Sequence, residues 1–239
     1  MIISTGGFIY LNDKVSIWSL SVVIGGLDIV IISVCIIISS KLFSYKGLEY
    51  LKKQKIIFNG KSFLNSIYMI VGYILIKCVI TSFISMHVDL NATSKISQTF
   101  INTYLGGNKF LGILLVCIQI MIIGPIVEEL LFRGILLRSL LEKFYQKPFK
   151  AIIYTSLVFG FVHFNLVQGI FSFLGGIILG VIYYYTKSIK LCIITHILNN
   201  ILIIIPNPTG ITINILYIII GIALIKKGLS GLRIEFENA

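Results

Sequence analysis

Six residues in the second half of the chain carry chemistry that their surroundings make expensive. Gly124–Arg133 reads G-P-I-V-E-E-L-L-F-R and places two adjacent carboxylates, Glu128 and Glu129, and one guanidinium within an oily stretch. Ionisable groups at membrane depth are costly and mark a functional site by default. On a helix, Glu129 and Arg133 are i,i+4 neighbours and pair on one face. Glu128 points about 100° away from Glu129 around the axis, so one carboxylate is held and the other is available. Further on, Phe159-Gly-Phe-Val-His163 sets an aromatic and a histidine four apart, and His196-Ile-Leu-Asn-Asn200 sets a histidine and a carboxamide four apart. A carboxylate and a histidine are the groups that activate a water. A histidine and an amide four apart can both donate to one oxyanion. One histidine alone reads more readily as a hydrogen-bonded interior residue. Three apolar segments each offering a polar pair reverse that balance.

These groups need a scaffold that brings separate helices together inside a membrane. The chain has 239 residues, of which 57% are hydrophobic and only 12% charged. Its mean hydropathy is +1.00. A water-facing surface needs about 25% charged residues, so the composition implies an integral membrane protein. The net charge of +11 falls in loops between apolar spans, as a topology signal does, and nucleic acid is set aside. Cys35, Cys78, Cys117 and Cys192 stand singly in apolar segments, as small buried hydrophobes. There is no G-x-S-x-G serine elbow and no H-E-x-x-H zinc helix.

The expected spans are Val15–Ile38, Ser62–Met86, Phe110–Val127, Ala151–Asn165, Gly169–Thr186, Leu191–Ile205 and Ile211–Ile225. The start, Met1–Lys14, lacks a basic leader region, so the first span is expected to be retained. Gly124-Pro125 should kink or restart the third span just before the glutamates. Leu130–Lys150 is amphipathic and basic. Lys77, inside the second span, is expected to snorkel. The G-x-x-x-G of the fifth span, Gly176 and Gly180, reads as close helix packing. Lysine-rich 39–61, the 133–150 segment, Lys187/Lys190 and the tail from Lys226 all fall on one side of a seven-span layout. The positive-inside rule then puts the amino terminus outside and the carboxyl terminus in the cytoplasm. Splitting Phe110–Lys143 would give eight spans, which Arg133 and Arg138 disfavour. The expectation is an all-α polytopic bundle of about seven helices around a polar cavity. It divides into a two-span region (1–109), a core (110–205), and a last span with a cytoplasmic tail (206–239).

In order, E-E-L-L-F-R, F-G-F-V-H and H-I-L-N-N resemble the E-E-x-x-x-R, F-x-x-x-H and H-x-x-x-N motifs of the CAAX-protease and bacteriocin-processing (CPBP, or ABI) family of intramembrane proteases. The resemblance covers about Phe110 to Ile205. It implies Glu128 and His163 as the water-activating pair and His196 and Asn200 as the oxyanion pair, with Glu129 and Arg133 completing the first motif. It also implies a glutamate protease that needs no metal, zinc being the alternative because two histidines and a glutamate form a possible zinc set. The substrate is then a small membrane-associated peptide or a membrane-protein tail in the bilayer of a bacterial cell membrane, as in peptide or bacteriocin maturation. A non-hydrolytic immunity factor or membrane scaffold of the same family is the second reading, and a proton-linked transporter the third.

Overall fold

The computed structural model describes residues 55–85, 117–163, 166–202 and 205–238, with backbone only at 119 and 120. All regular structure among them is helical. The elements are α1 (Gly60–Ser85), a π-helical turn (Gln119–Ile123), α2 (Gly124–Glu129), a π-helical segment (Leu130–Leu137), α3 (Arg138–Lys143), α4 (Pro148–Phe161), α5 (Leu166–Thr186), α6 (Ile189–Ile201) and α7 (Ile211–Glu237). The expected Val15–Ile38 span and the first part of Phe110–Val127 lie outside the described residues.

Three of these helices, α1, α5 and α7, are long and apolar enough to cross a membrane, and α4 and α6 are shorter apolar helices. Large side chains of α7, among them Ile215, Leu216 and Ile219, are exposed. Lipid tails are as apolar as these side chains, so in a bilayer that face needs no protein cover. The last helix also runs beyond the expected Ile225. It carries Lys226, Lys227 and Arg233 as helical residues up to Glu237, where the sequence suggested a tail.

Two antiparallel pairs build the scaffold, and glycine sets both. In the α1/α7 pair, a Cβ on Gly72 would sit 2.5 Å from the Gly221 carbonyl oxygen, and one on Gly221 would sit 2.8 Å from the Gly72 oxygen. Backbones approach this closely only where neither residue has a side chain. In the α4/α5 pair, a Cβ on Gly180 would meet Ile152 Cγ2 at 2.8 Å, and one on Gly176 would meet Ser156 at 3.1 Å. The fifth span's G-x-x-x-G is therefore a packing seam, as expected. The Tyr73 hydroxyl donates to the Phe171 carbonyl at 2.7 Å and ties α1 to α5. Lys77, one turn on, lies with Nζ 5.6 Å from the centroid of the Phe171 ring.

The run from Gln119 to Lys143 changes helical type three times. Proline lacks an N–H, and Pro125 stands where the π-helical turn gives way to α2, the backbone staying helical through Ile123. The α-helical turns restart at Gly124, just before the glutamates, as the Gly-Pro pair predicted. π-Helical turns carry an extra residue in each hydrogen-bonded ring and cluster at functional sites. Here they flank Glu128 and Glu129 on both sides. The core beneath them is apolar and includes Leu131, Phe132, Leu137, Ile152, Ile182 and Leu191.

Candidate active site

The site is assembled by α2, the end of α4 and the second half of α6. Glu129 and Arg133 are almost wholly buried, at 0% and 1% exposure. An unpaired charge there would be prohibitive, and the two side chains pair with each other, although Glu129 Oε2 and Arg133 Nε have no hydrogen-bond partner among the described residues. Arg133 donates through one guanidinium nitrogen to Glu129 Oε1 at 2.7 Å and through the other to the Gly176 carbonyl at 3.1 Å. Its guanidinium carbon also lies 5.0 Å from the centroid of the Phe159 ring. The i,i+4 pair expected from sequence is present, and α5 supplies a third contact that no sequence signal announced. That contact needs Gly176 close to the site, which the α4/α5 seam provides.

Glu129 Oε1 has a second partner. His196 Nδ1 lies 2.8 Å from it, so this one oxygen joins α2 to α6. A carboxylate only accepts, so the His196 Nδ1 bears the proton and Nε2 is the ring atom turned elsewhere. That Nε2 lies 3.7 Å from Glu128 Oε2. The separation exceeds a hydrogen bond but suits two groups that share a reacting atom. To donate from Nε2 as well, His196 must carry both ring protons, as an imidazolium between the two glutamates.

His163 follows the last turn of α4. Its Nδ1 is 2.7 Å from the Phe159 carbonyl oxygen. A carbonyl is an acceptor only, so Nδ1 donates, and the neutral ring offers a lone pair at Nε2. Its ring stands edge-on to Phe159 with centroids 5.1 Å apart, and the His196 ring does the same at 6.1 Å. Phe159 is thus the common floor of Arg133, His163 and His196, and is itself held edge-on by Phe132 at 4.8 Å. No ion pair joins Glu128 to His163 among the described residues; the imidazole within 4 Å of Glu128 belongs to His196.

Asn200 lies one turn beyond His196 on α6, whose start is capped by the Ser188 hydroxyl accepting from the Leu191 amide at 3.2 Å. The side-chain oxygen of Asn200 accepts from Asn199 Nδ2 at 3.0 Å. The structure thus brings Arg133, His163 and His196 around Phe159, sets Glu128 and Glu129 beside His196, and carries Asn200 on the same helix as His196. Sequence reasoning singled out Gly176 for packing but not for its carbonyl, and did not single out Asn199. The doubled N-N of the third motif was the available signal for the latter. Among the described residues no three His, Cys, Asp or Glu side chains come together as a metal-holding group.

Residues 110–202 match a family model described as Rce1-like, type II CAAX prenyl endopeptidase Rce1-like. The matched segment begins where the motif resemblance begins and ends just after Asn200. Neither a curated protein nor a solved structure matches the chain.

Proposed function

We propose that this chain is an intramembrane endopeptidase acting through Glu128, His163, His196 and Asn200. The match of residues 110–202 to the Rce1-like family model supports the coarser reading, a membrane-embedded protease. The finer reading, a glutamate protease that cuts a small membrane-associated peptide or a membrane-protein tail, rests on one observation. Glu129 Oε1 is held by Arg133 and His196 together, while Glu128 Oε2 lies 3.7 Å from His196 Nε2, beyond hydrogen-bond distance. One carboxylate is structural and the other is placed to work.

In this reading Glu128 takes a proton from a water that attacks the scissile carbonyl carbon. His163 presents its Nε2 lone pair to that water, and the proton taken up by Glu128 then passes by way of His163 Nε2 to the leaving amine as the C–N bond breaks. The oxyanion receives N–H bonds from His196 and from the Asn200 carboxamide, which serve only if they are fixed before charge develops. Arg133 and Glu129 hold His196 in place. In this reading no metal takes part, because His196 Nε2 serves the oxyanion and a metal there would remove that donor. The charge pattern further supports an amino terminus outside and a carboxyl terminus in the cytoplasm.

The test is cleavage by the full chain in lipid nanodiscs. The probes are an internally quenched peptide ending in a farnesylated Cys-aliphatic-aliphatic-X sequence, its unprenylated twin, and a lipid-anchored peptide library read by mass spectrometry. Wild type should cut at least one, and Glu128→Gln none. Silence of the folded wild type towards all three would favour the non-hydrolytic scaffold or immunity reading. A cut by Glu128→Gln at the wild-type rate would remove Glu128 from the mechanism.

A further inference from the structure

Beside the His196/Asn200 face of α6 lies a second polar face, one residue back on each turn. Thr195 and Asn199 are i,i+4 neighbours there. Thr195 is buried, with 1% of its surface exposed. The Thr195 hydroxyl and the Asn199 side-chain oxygen are both shut away without a hydrogen-bond partner. The amide nitrogen of Asn199 is not idle: it donates to the Asn200 side-chain oxygen at 3.0 Å. Adjacent helical residues point about 100° apart, so this bond reaches across from one face to the next. Asn199 leaves its own carbonyl unpaired and spends its donor on its neighbour.

We propose that Asn199 is a positioning residue: it fixes which end of the Asn200 carboxamide faces the developing oxyanion. This rests on the reading of Asn200 as an oxyanion donor. A carboxamide has an acceptor end and a donor end, nearly equal in shape, and half a turn about its last bond exchanges them. Only the donor end stabilises an oxyanion; the acceptor end repels it. Anchoring the Asn200 oxygen on Asn199 Nδ2 directs its N–H2 the other way. With Asn199 oriented as it is, the reverse orientation of Asn200 would set two amide donors against each other. Asn199 thus holds a two-state group in its useful state without touching the substrate.

Two variants, each read with and without Asn200, separate this from a packing role. Asn199→Asp keeps the size of the side chain but offers Asn200 an acceptor in place of a donor. The Asn200 amide then turns to donate to Asp, and its oxygen faces the oxyanion. Asn199→Ala only removes the anchor. A buried acid is costly in either role, so the comparison that decides is the effect of each variant when Asn200 is already gone. In nanodiscs, with the farnesylated Cys-aliphatic-aliphatic-X peptide, Asn199→Ala should lower kcat by about three- to tenfold, the span expected for one hydrogen bond, with KM unchanged. Asn199→Asp should lower it further. In an Asn200→Ala background, neither should have an effect, because the group they position is gone.

A second readout does not depend on turnover. With asparagine side chains labelled by nitrogen-15, the Asn200 carboxamide signal of the full chain should broaden or split in Asn199→Ala and move in Asn199→Asp. An unchanged Asn200 signal in both overturns the proposal whatever the substrate. Full, additive losses in the Asn200→Ala background overturn it too. If Asn200→Ala cuts like wild type, the oxyanion reading of Asn200 fails by itself, and the resonance experiment still decides whether Asn199 sets its orientation.

Discussion

Glu129 Oε1 lies 2.8 Å from His196 Nδ1 and 2.7 Å from Arg133, so one carboxylate oxygen fixes both a cation on its own helical run and an imidazole on α6. The two adjacent glutamates are thereby made unlike. Glu129 is buried and twice bonded, and its loss strands Arg133 and releases His196. Glu128 is partly exposed, with 13% of its side chain accessible, and its approach to His196 Nε2 is 3.7 Å, longer than a hydrogen bond.

The first prediction separates their roles. Glu128→Gln should leave folded yield and melting temperature near wild type while cleavage falls to background. Glu129→Ala should lose both, because removing one partner of a buried ion pair costs about 3–5 kcal/mol. Yield and thermal unfolding in detergent, read beside peptide cleavage, give the answer. Equal yields with equal activity losses would refute the division.

A second prediction concerns the oxyanion. Asn200→Ala should reduce kcat by on the order of a hundredfold with substrate affinity little changed. Asn200→Asp should be at least as damaging at neutral pH, since it turns a negative oxygen towards the oxyanion. Single-turnover cleavage with and without a strong chelator checks both this and the metal-free reading. Activity lost to the chelator and restored by zinc would overturn the latter.

The glycine contact between α1 and α7 makes a third. Gly72→Ala forces a methyl into the Gly221 carbonyl, where a Cβ would lie at 2.5 Å, and should destabilise the pair by about 1–3 kcal/mol. Gly60→Ala is the matched control, with nothing within 4 Å of its Cβ position, and should behave as wild type. Thermal unfolding of the two variants distinguishes the sites.

Lys187 supplies a pH dependence outside the spans. Burial at the turn between α5 and α6 lowers its amine from the ordinary 10.5 to about 8. The folded chain therefore gives up this proton earlier than the unfolded chain does. Between pH 8 and 10.5 the unfolded state binds more protons, so this group's contribution to stability rises with pH across that window. At pH 7 the charge is present and a burden. Amine acylation of Lys187, followed by mass spectrometry across pH, should show a midpoint near 8.

Orientation gives the last prediction. Single cysteines at Asn207 and Glu237, in a background with the four native cysteines replaced by serine, should label from opposite sides of the membrane. Asn207 should be reached from outside and Glu237 from the cytoplasm. Labelling of both from one side would break the proposed topology.

The sequence by itself determined which residues could do chemistry and that they lie at membrane depth. Glu129–Arg133, Phe159–His163 and His196–Asn200 are each separations of four along one helix, and helical geometry alone converts that spacing into a shared face. The Gly-Pro restart before Glu128 and the packing role of Gly176 and Gly180 were legible for the same local reason. Tertiary structure decided everything that joins one helix to another. Which imidazole stands by Glu128, the second bond of Glu129 Oε1 to His196, and the Gly176 carbonyl that completes Arg133 all depend on how α2, α5 and α6 rotate and cross. Those angles follow from glycine seams and side-chain volumes distributed over the whole bundle, which no single window of sequence contains. The carboxamide relay from Asn199 to Asn200 lies between the two cases. Its residues are adjacent in sequence, but only the packing around α6 settles which way an amide points.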